Sequence, residues 1–275
     1  MSPARVTAPF GRRTARVAAR EEHGDYVVLR ATDGRGPRPQ AGQFYMLSAA
    51  ARWGAGEDER PFLPRAFSVM RASASGRELE FLIEDVGPGT RRLCELEAGE
   101  ELRLVGPLGV GFVAPRERRR PLLVGGGVGI APLAIWQDQL GLETQVLLGF
   151  RDATHAQGSR LLTGARVATD DGSVGHHGLV TDLLEAELRE AELSRRLALE
   201  VYACGPPRML EAVHRLCAGH HVPAQLALEA GMACGFGACF GCVVATRDGY
   251  LRLCVEGPVL DAARLPIAAE PEVGD

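Results

Sequence analysis

Over the first hundred residues the apolar positions fall in short runs, alternating with polar residues or fully apolar, and each run is closed by Gly or Pro. Residues 26–31, 43–48, 66–71, 78–84 and 101–105 read as strands. Short strands at that spacing predict a small antiparallel β-barrel. Residues 51–64, with Gly54, Gly56 and several charges, read as an exposed loop, and 115–120 (PRERRR) as a solvated linker marking a boundary.

Past the boundary the period changes. PLLVGGGVGIAPLAIWQDQL passes from a buried strand through glycines into a helix, and TQVLLGF is the next strand. GLVTDLLEAELREAELSRRL has the 3.6-residue apolar period of an amphipathic helix, followed by LEVYACG as strand and PPRMLEAVHRLCAG as helix. Alternation of this kind predicts an α/β, Rossmann-like doubly wound sheet with ligands at the carboxyl ends of its strands. The glycine run is no strict G-x-G-x-x-G, because Gly127-Val128-Gly129 leads into Ile130, Ala131 and Pro132. It keeps the strand, glycine turn and helix start that bring a diphosphate to helix amides.

The densest chemistry lies near the C-terminus, where Cys234-x4-Cys239-x2-Cys242-x11-Cys254 has the plant-type spacing of a [2Fe-2S] site. Gly235, Gly237 and Gly241 alternate with the thiols and let backbone amides approach the sulfurs. Four thiolates also suit structural zinc, but zinc folds commonly oppose two short Cys pairs, and only Cys239 and Cys242 make one here. A disulfide framework fits poorly with seven cysteines, a length of 275 residues and no secretory leader in the opening residues. Cys94 and Cys217 read as small buried hydrophobes.

Composition narrows the chemistry further. The 31 basic residues are all arginine, which excludes a lysine Schiff base and a P-loop lysine, so bound phosphates fall to arginine, amides or helix ends. A net charge of −4 with the signs interspersed offers no broad basic face, so no nucleic-acid partner is expected. No apolar run approaches the ~18 residues of a membrane span, so no membrane association and a cytoplasmic location are expected. Two weaker motifs complete the set. Arg65-Ala66-Phe67-Ser68 opens one predicted strand, and Gly87-Pro88-Gly89-Thr90 follows about twenty residues later. An arginine fork suits a diphosphate, a strand serine can face a flat ring, Gly89 permits close approach, and Thr90 offers an amide and a hydroxyl.

In their order, RAFS, GPGT, GPLGVGF, VGGGVGIAPL and ACGPPRML resemble the ferredoxin-reductase family, in which a β-barrel holds a flavin and an α/β domain binds a nicotinamide nucleotide. MACGFGACFGCVV with RLCVEGPVL, and ATDDGSVGHHGLVTDLL upstream, are similar to the electron-transfer subunits of B-type dihydroorotate dehydrogenases, over residues 12–265. The resemblance implies three domains: an FAD-binding barrel (1–115), an NAD-binding α/β domain (116–222) and a small [2Fe-2S] domain (223–275). It implies FAD contacts at Arg65, Ala66, Phe67 and Ser68, at Gly89 and Thr90, and more loosely at Leu82, Ile83 and Glu84. Gly127, Gly129, Cys204 and Gly205 would lie on the NAD side, with Cys204 facing the flavin, although a plain core role fits that cysteine equally. Cys234, Cys239, Cys242 and Cys254 would be the cluster ligands.

The implied function is electron transfer from an FMN-containing dihydroorotate dehydrogenase catalytic subunit, in a hetero-oligomer, through [2Fe-2S] and FAD to NAD+ in pyrimidine (UMP) biosynthesis. Flavin must sit between the other two, because nicotinamide moves a hydride and the cluster single electrons. No catalytic acid–base residue is expected in this chain, and His176 and His177 read as exposed polar residues. Sibling flavin/[2Fe-2S] subunits, of NADH-dependent ferredoxin:NADP+ oxidoreductase or sulfhydrogenase type, and a zinc-stabilised binding module remain open. So does the choice of NAD or NADP, since GFRDATH offers both Arg151 and Asp152.

Overall fold

A computed structural model describes residues 11–54, 61–141, 144–190 and 198–266. The first ten residues, 55–60 of the expected loop, 191–197 of the expected amphipathic helix and 267–275 of the last expected domain lie outside the described residues.

Six antiparallel strands close the barrel in the order β1-β2-β5-β4-β3-β6. Five of them, β2 (Tyr26–Thr32), β3 (Phe44–Ala49), β4 (Arg65–Ala72), β5 (Glu78–Glu84) and β6 (Glu101–Leu108), coincide with the predicted runs. The sixth, β1 (Arg13–His23), is absent from the sequence reading. Its inward positions include the small Ala15 and Val17, while its outer face is rich in Arg and Glu, so periodicity gives little apolar signal. It pairs with both β2 and β6, and without it the barrel would have two open edges. Helix α1 (Pro88–Cys94) follows β5.

The second body is a seven-stranded sheet ordered β10-β9-β8-β7-β11-β12-β15. Parallel strands β7 (Arg120–Gly126), β8 (Gln145–Phe150), β9 (Ala165–Thr169) and β11 (Leu199–Cys204) form its centre. Helices α2 (Ala131–Leu140), α3 (Val180–Glu190) and α4 (Pro207–Gly219) accompany them. His176 and His177 are exposed and form the two-residue edge strand β10. β12 (Ala224–Ala227) extends the sheet beside β11, just after the boundary expected at 223.

The C-terminal segment leaves the sheet, makes the hairpin β13 (Val243–Thr246) and β14 (Gly249–Arg252) and one helical turn at Leu253–Glu256, then returns as β15 (Val259–Asp261), antiparallel to β12. On the way the Val110 amide donates to the Gly257 carbonyl at 2.5 Å, tying GPLGVGF to GPV. α2 packs along barrel strand β4, and Arg71 of that strand pairs with Asp138 of the helix at 3.0 Å. The linker reading of 115–120 needs correction. The segment is exposed, but the Arg116 amide donates to buried Glu200 at 2.9 Å and its guanidinium pairs with Asp261 at 3.0 Å. Arg119 donates to the Leu199 carbonyl at 2.8 Å, so the connection is fastened to the sheet rather than free in solvent.

Cys94 and Cys217 are buried, and burial pushes their thiols up to about 11 and about 12. Among the described residues no helix is long and apolar enough to cross a membrane.

Candidate functional site

Barrel, sheet and C-terminal segment meet around two clefts that share a wall. The smaller, about 240 Å³, takes Phe44, Ala66, Phe67, Ser68 and Leu82 from the barrel, Val128, Gly129, Ala131 and Cys204 from the sheet, and Leu228–Ala230 with Met232 from the C-terminal segment. Three of the four residues of RAFS, Ala66, Phe67 and Ser68, therefore open onto residues about 160 positions away in the chain, because β4 starts at the barrel rim. Arg65 sits at that start with its guanidinium against Gly89, where a β-carbon would stand 2.8 Å from Nε. Its Nη1 donates to the Leu63 carbonyl at 2.5 Å, and the guanidinium lies 5.9 Å from the Trp53 ring centre. RAFS and GPGT thus converge, and GPGT opens α1 rather than a hairpin. The Thr90 hydroxyl is committed to that turn. It accepts from the Val86 and Gly87 amides at 2.9 and 3.0 Å, which leaves the backbone as the segment's outward-facing donor set.

Residues 82–84 part ways along the strand, Ile83 facing opposite to Leu82 and Glu84. Leu82 lines the smaller cleft, Ile83 turns into the barrel core, and Glu84 lines the larger cleft. That larger cleft, about 540 Å³, lies at the carboxyl ends of the parallel strands, with Gly126–Gly129, Phe150, Arg151, Asp170, Thr181, Pro206, Arg208 and Met209 along it. The barrel contributes Tyr26 and Glu84. Gly127 and Gly129 occupy a tight helical turn leading into α2, and Gly129 lies against the backbone of Cys204 and Gly205. The two sequence turns assigned to the nicotinamide side are therefore in contact.

Arg151 and Asp152, the rival selectors in the sequence, have separate duties. Arg151 donates to Glu84 Oε1 at 2.6 Å and lies 2.5 Å from His155 Nε2. Asp152 accepts from the His155 amide at 3.0 Å, the Thr154 amide at 2.9 Å and His155 Nδ1 at 2.8 Å, which hold its carboxyl below the ordinary value. Asp25, Asp152 and His155 bring ligand atoms within 4.8 Å of one another, a grouping no sequence spacing announces because Asp25 arrives on the barrel turn.

Val128, Gly129 and Glu229 line both clefts. Glu229 is reached by solvent but stands in the recess between three bodies, and that crowding raises its carboxyl. Burial first, and the Glu229 charge second, lift the Cys204 thiol well above its usual value, so it is protonated at neutral pH. Tyr26, Arg208, Glu229 and Met232 were missed in the sequence: Tyr26 and Glu229 belong to none of its motifs, and Arg208 and Met232 sit inside ACGPPRML and MACGFGACFGCVV without being singled out.

The cysteine loop adjoins the smaller cleft. Gly235 takes φ +78°, and a side chain there would fall on Met46 of β3, so glycine lets the loop lie flat on the barrel. Cys242 and Cys254 are buried, Cys234 is half-buried and Cys239 exposed. Burial pushes the Cys234 thiol up, but the amides of Cys239, Phe236 and Ala238 and the Cys239 thiol, all directed at its sulfur, bring it down to about 6. Burial and the Cys242 thiol push Cys254 up to about 12, against the Gly237 amide. The Cys254 amide also donates to Cys242 Sγ at 3.4 Å. The Cys239 amide and thiol are directed at Cys234 and the Cys254 amide at Cys242 Sγ, and among the described residues no three cysteine sulfurs gather within 4.8 Å of one another. A single tetrahedral zinc would gather all four at roughly 3.8 Å. Two-plus-two spacing with amides on the sulfurs fits a binuclear iron–sulfur cluster instead. Phe236, Phe240 and Tyr250 stand exposed around this loop.

Residues 229–266 match the family model described as the iron-sulfur cluster binding domain of dihydroorotate dehydrogenase B. Over 227 residues the chain is 34% identical to the dihydroorotate dehydrogenase B (NAD(+)) electron transfer subunit of Clostridium acetobutylicum, covering 82% of this chain and 85% of that one. With the corresponding subunit of Caldanaerobacter subterraneus it shares 34% over 251 residues, 89% of this chain and 94% of that one. Among solved structures, a chain of the NADH-dependent reduced ferredoxin-NADP oxidoreductase superposes with a TM-score of 0.74 at 22% identity, covering 94% of this chain and 92% of that one. A ferredoxin NADP+ reductase from Neisseria gonorrhoeae gives 0.60 at 17%, covering 76% and 91%. These two likenesses establish the ferredoxin-reductase-like fold.

Proposed function

The chain belongs to the family of dihydroorotate dehydrogenase B electron transfer subunits, and from that premise we propose that it carries electrons from a separate FMN-containing catalytic subunit to NAD+ in pyrimidine biosynthesis. Cys234, Cys239, Cys242 and Cys254 would hold a [2Fe-2S] cluster. FAD would lie in the smaller cleft, with Arg65 and the start of α1 on its diphosphate and Ser68 and Leu82 beside its ring. NAD+ would enter the larger cleft over Gly127, Gly129 and Gly205. The domain limits at 115 and 222 belong to the same reading.

One observation carries it: the segment leading into the cysteine loop, through Leu228, Glu229, Ala230 and Met232, forms part of the wall of the cleft lined by Ala66, Phe67, Ser68 and Cys204. When bound, the flavin supplies the exchange between single electrons and a hydride. The residues of this chain have the quieter tasks. Glycine turns bring amides to phosphates, protonated Cys204 and the apolar Leu82 and Val128 keep charge and water from the inner cleft, and amides near Cys234 stabilise thiolate charge. The exposed Phe236, Phe240 and Tyr250, next to exposed Cys239, form the face offered to the catalytic subunit.

The test is reconstitution. The chain purified with its cofactors should show flavin and iron–sulfur absorption, and addition of the FMN-containing catalytic subunit should produce dihydroorotate-dependent reduction of NAD+. A fully loaded chain that binds the catalytic subunit yet reduces no NAD+ would overturn the reading.

A further inference from the structure

Among the described residues, four buried side chains carry a nitrogen or oxygen with no hydrogen-bond partner: Arg13, Tyr26, Tyr45 and Trp136. Of these, Tyr26 lines the larger cleft beside the Gly127 turn. An unpaired buried hydroxyl is costly, and its persistence calls for a partner outside the chain.

The placement of Tyr26 is well determined. It opens β2 at the end of the β1–β2 turn, and its ring meets His155 edge-on at 5.7 Å between centres and Phe150 at 6.5 Å. Gly158 makes room for it, since a β-carbon there would stand 3.0 Å from the ring. The ring is thereby wedged between barrel and α/β domain. Its hydroxyl reaches the wall of the larger cleft, 3.9 Å from where a Gly127 β-carbon would be. Burial and the Glu84 charge push the phenol up, so it is a neutral donor at any physiological pH.

We propose that the Tyr26 hydroxyl is a nicotinamide-nucleotide contact supplied by the flavin barrel, donating a hydrogen bond to an oxygen on the nicotinamide-ribose side of the diphosphate that crosses the Gly127 turn, a part of the ligand that ADP-ribose has and 5′-AMP lacks. This rests on the assignment of the larger cleft to NAD. An oxygen acceptor is what the site requires: a phenol offers one donor proton, Gly127 leaves space beside it, and Arg151 already occupies the Glu84 carboxylate. The contact makes nucleotide affinity depend on the junction of the two domains, because the donor sits on one and the glycine turn on the other.

The experiment compares wild type with Tyr26→Phe, both loaded with FAD and cluster, by calorimetric titration with NADH, ADP-ribose and 5′-AMP, and by thermal unfolding without nucleotide. The expected result is a five- to fiftyfold loss of affinity, of the order of one hydrogen bond, shared by NADH and ADP-ribose. Affinity for 5′-AMP and FAD content should be unchanged, with a Tm equal to or above that of wild type because an unsatisfied hydroxyl has gone. Unchanged NADH affinity, an equal loss for 5′-AMP, loss of FAD or a lowered Tm with intact affinity would each overturn the proposal. If wild type itself bound no NADH, the cleft assignment would fail instead.

Discussion

Gly129 lies backbone to backbone against Gly205: a β-carbon on Gly129 would stand 2.6 Å from the Gly205 Cα and 2.8 Å from the Cys204 carbonyl oxygen. The atoms in the way are main chain at the end of the central strand β11, held on both sides by β7 and β12, so they cannot step aside. Gly129→Ala should destabilise the chain by about 1–3 kcal/mol, the usual cost of overpacking, and weaken NADH binding as the two turns part. Urea denaturation and NADH titration check both effects, and wild-type stability would show that the sheet yields more than its pairing suggests.

Gly89 is the contrasting case. Its absent β-carbon would first meet the Arg65 guanidinium, 2.8–2.9 Å away, which is the mobile end of a long side chain. Gly89→Ala should therefore leave stability within about 1 kcal/mol of wild type while displacing Arg65 and lowering FAD affinity. Arg65→Ala removes the charge-assisted contact itself and should cost roughly ten- to a hundredfold in FAD affinity. Titration of the flavin-free chain with FAD measures all three proteins, and Gly89→Ala should fall between the others.

The difference between these glycines could not be read in the sequence, where both stand in ordinary turns. Strands with large apolar residues, such as YVVLRAT and EFLIE, were legible because period two with β-branched and aromatic side chains has few other solutions. β1 was not, because Ala15 and Val17 fill their inward positions without the hydrophobic weight that marks a strand. Ligand-like cysteines were legible because four thiols at that spacing have few uses. Glu229 and Tyr26 were not, since each acquires its place only where barrel and sheet meet, and no local pattern encodes that junction. Residues 82–84, read as one group, separate on folding: alternation turns Ile83 to the opposite face from Leu82 and Glu84, and two residues of advance along the strand carry that shared face from the smaller cleft at Leu82 to the larger one at Glu84.

Cys217 links burial to pH. Its thiol, buried on α4, is pushed up to about 12 from a reference near 9. A raised folded-state value means the folded chain holds its proton more tightly than the unfolded chain. This contribution to stability is complete below pH 9 and is lost as pH rises from 9 toward 12, by up to ~1.4 kcal/mol per pH unit. Cys217→Ala should flatten the alkaline limb of a stability–pH curve by about one proton's slope between pH 9 and 10.5, whatever constant offset the smaller side chain introduces. Parallel curves for variant and wild type would contradict the assigned burial.

At the cysteine loop, two independent substitutions separate iron ligation from flavin binding. Cys242→Ser removes a buried thiol, and Gly235→Ala keeps all four thiols but forces an alanine to φ +78° against Met46. Both should lower iron from about two per chain toward zero while FAD content stays near wild type. Iron and zinc assays with visible spectra decide the matter, and one zinc per chain in wild type would contradict the two-plus-two reading of the sulfurs.

Tyr250, on β14 of the hairpin, is 82% exposed and Phe240, just before β13, 63%, and Arg252 stands 5.4 Å from the Phe240 ring. Apolar rings left in water beside the exposed Cys239 are costly unless a partner covers them, and aromatic side chains with a neighbouring arginine are typical anchors of such interfaces. Tyr250→Arg combined with Phe240→Ser should weaken association with the catalytic subunit at least tenfold. The isolated chain should keep its spectrum, its Tm and its rate of NADH oxidation with an artificial acceptor, because neither ring contributes to the core. Size-exclusion chromatography and a binding titration read the association. Full assembly with the double variant would move the electron entry point away from this face, and the route from Cys239 to the partner would have to be drawn elsewhere on the surface.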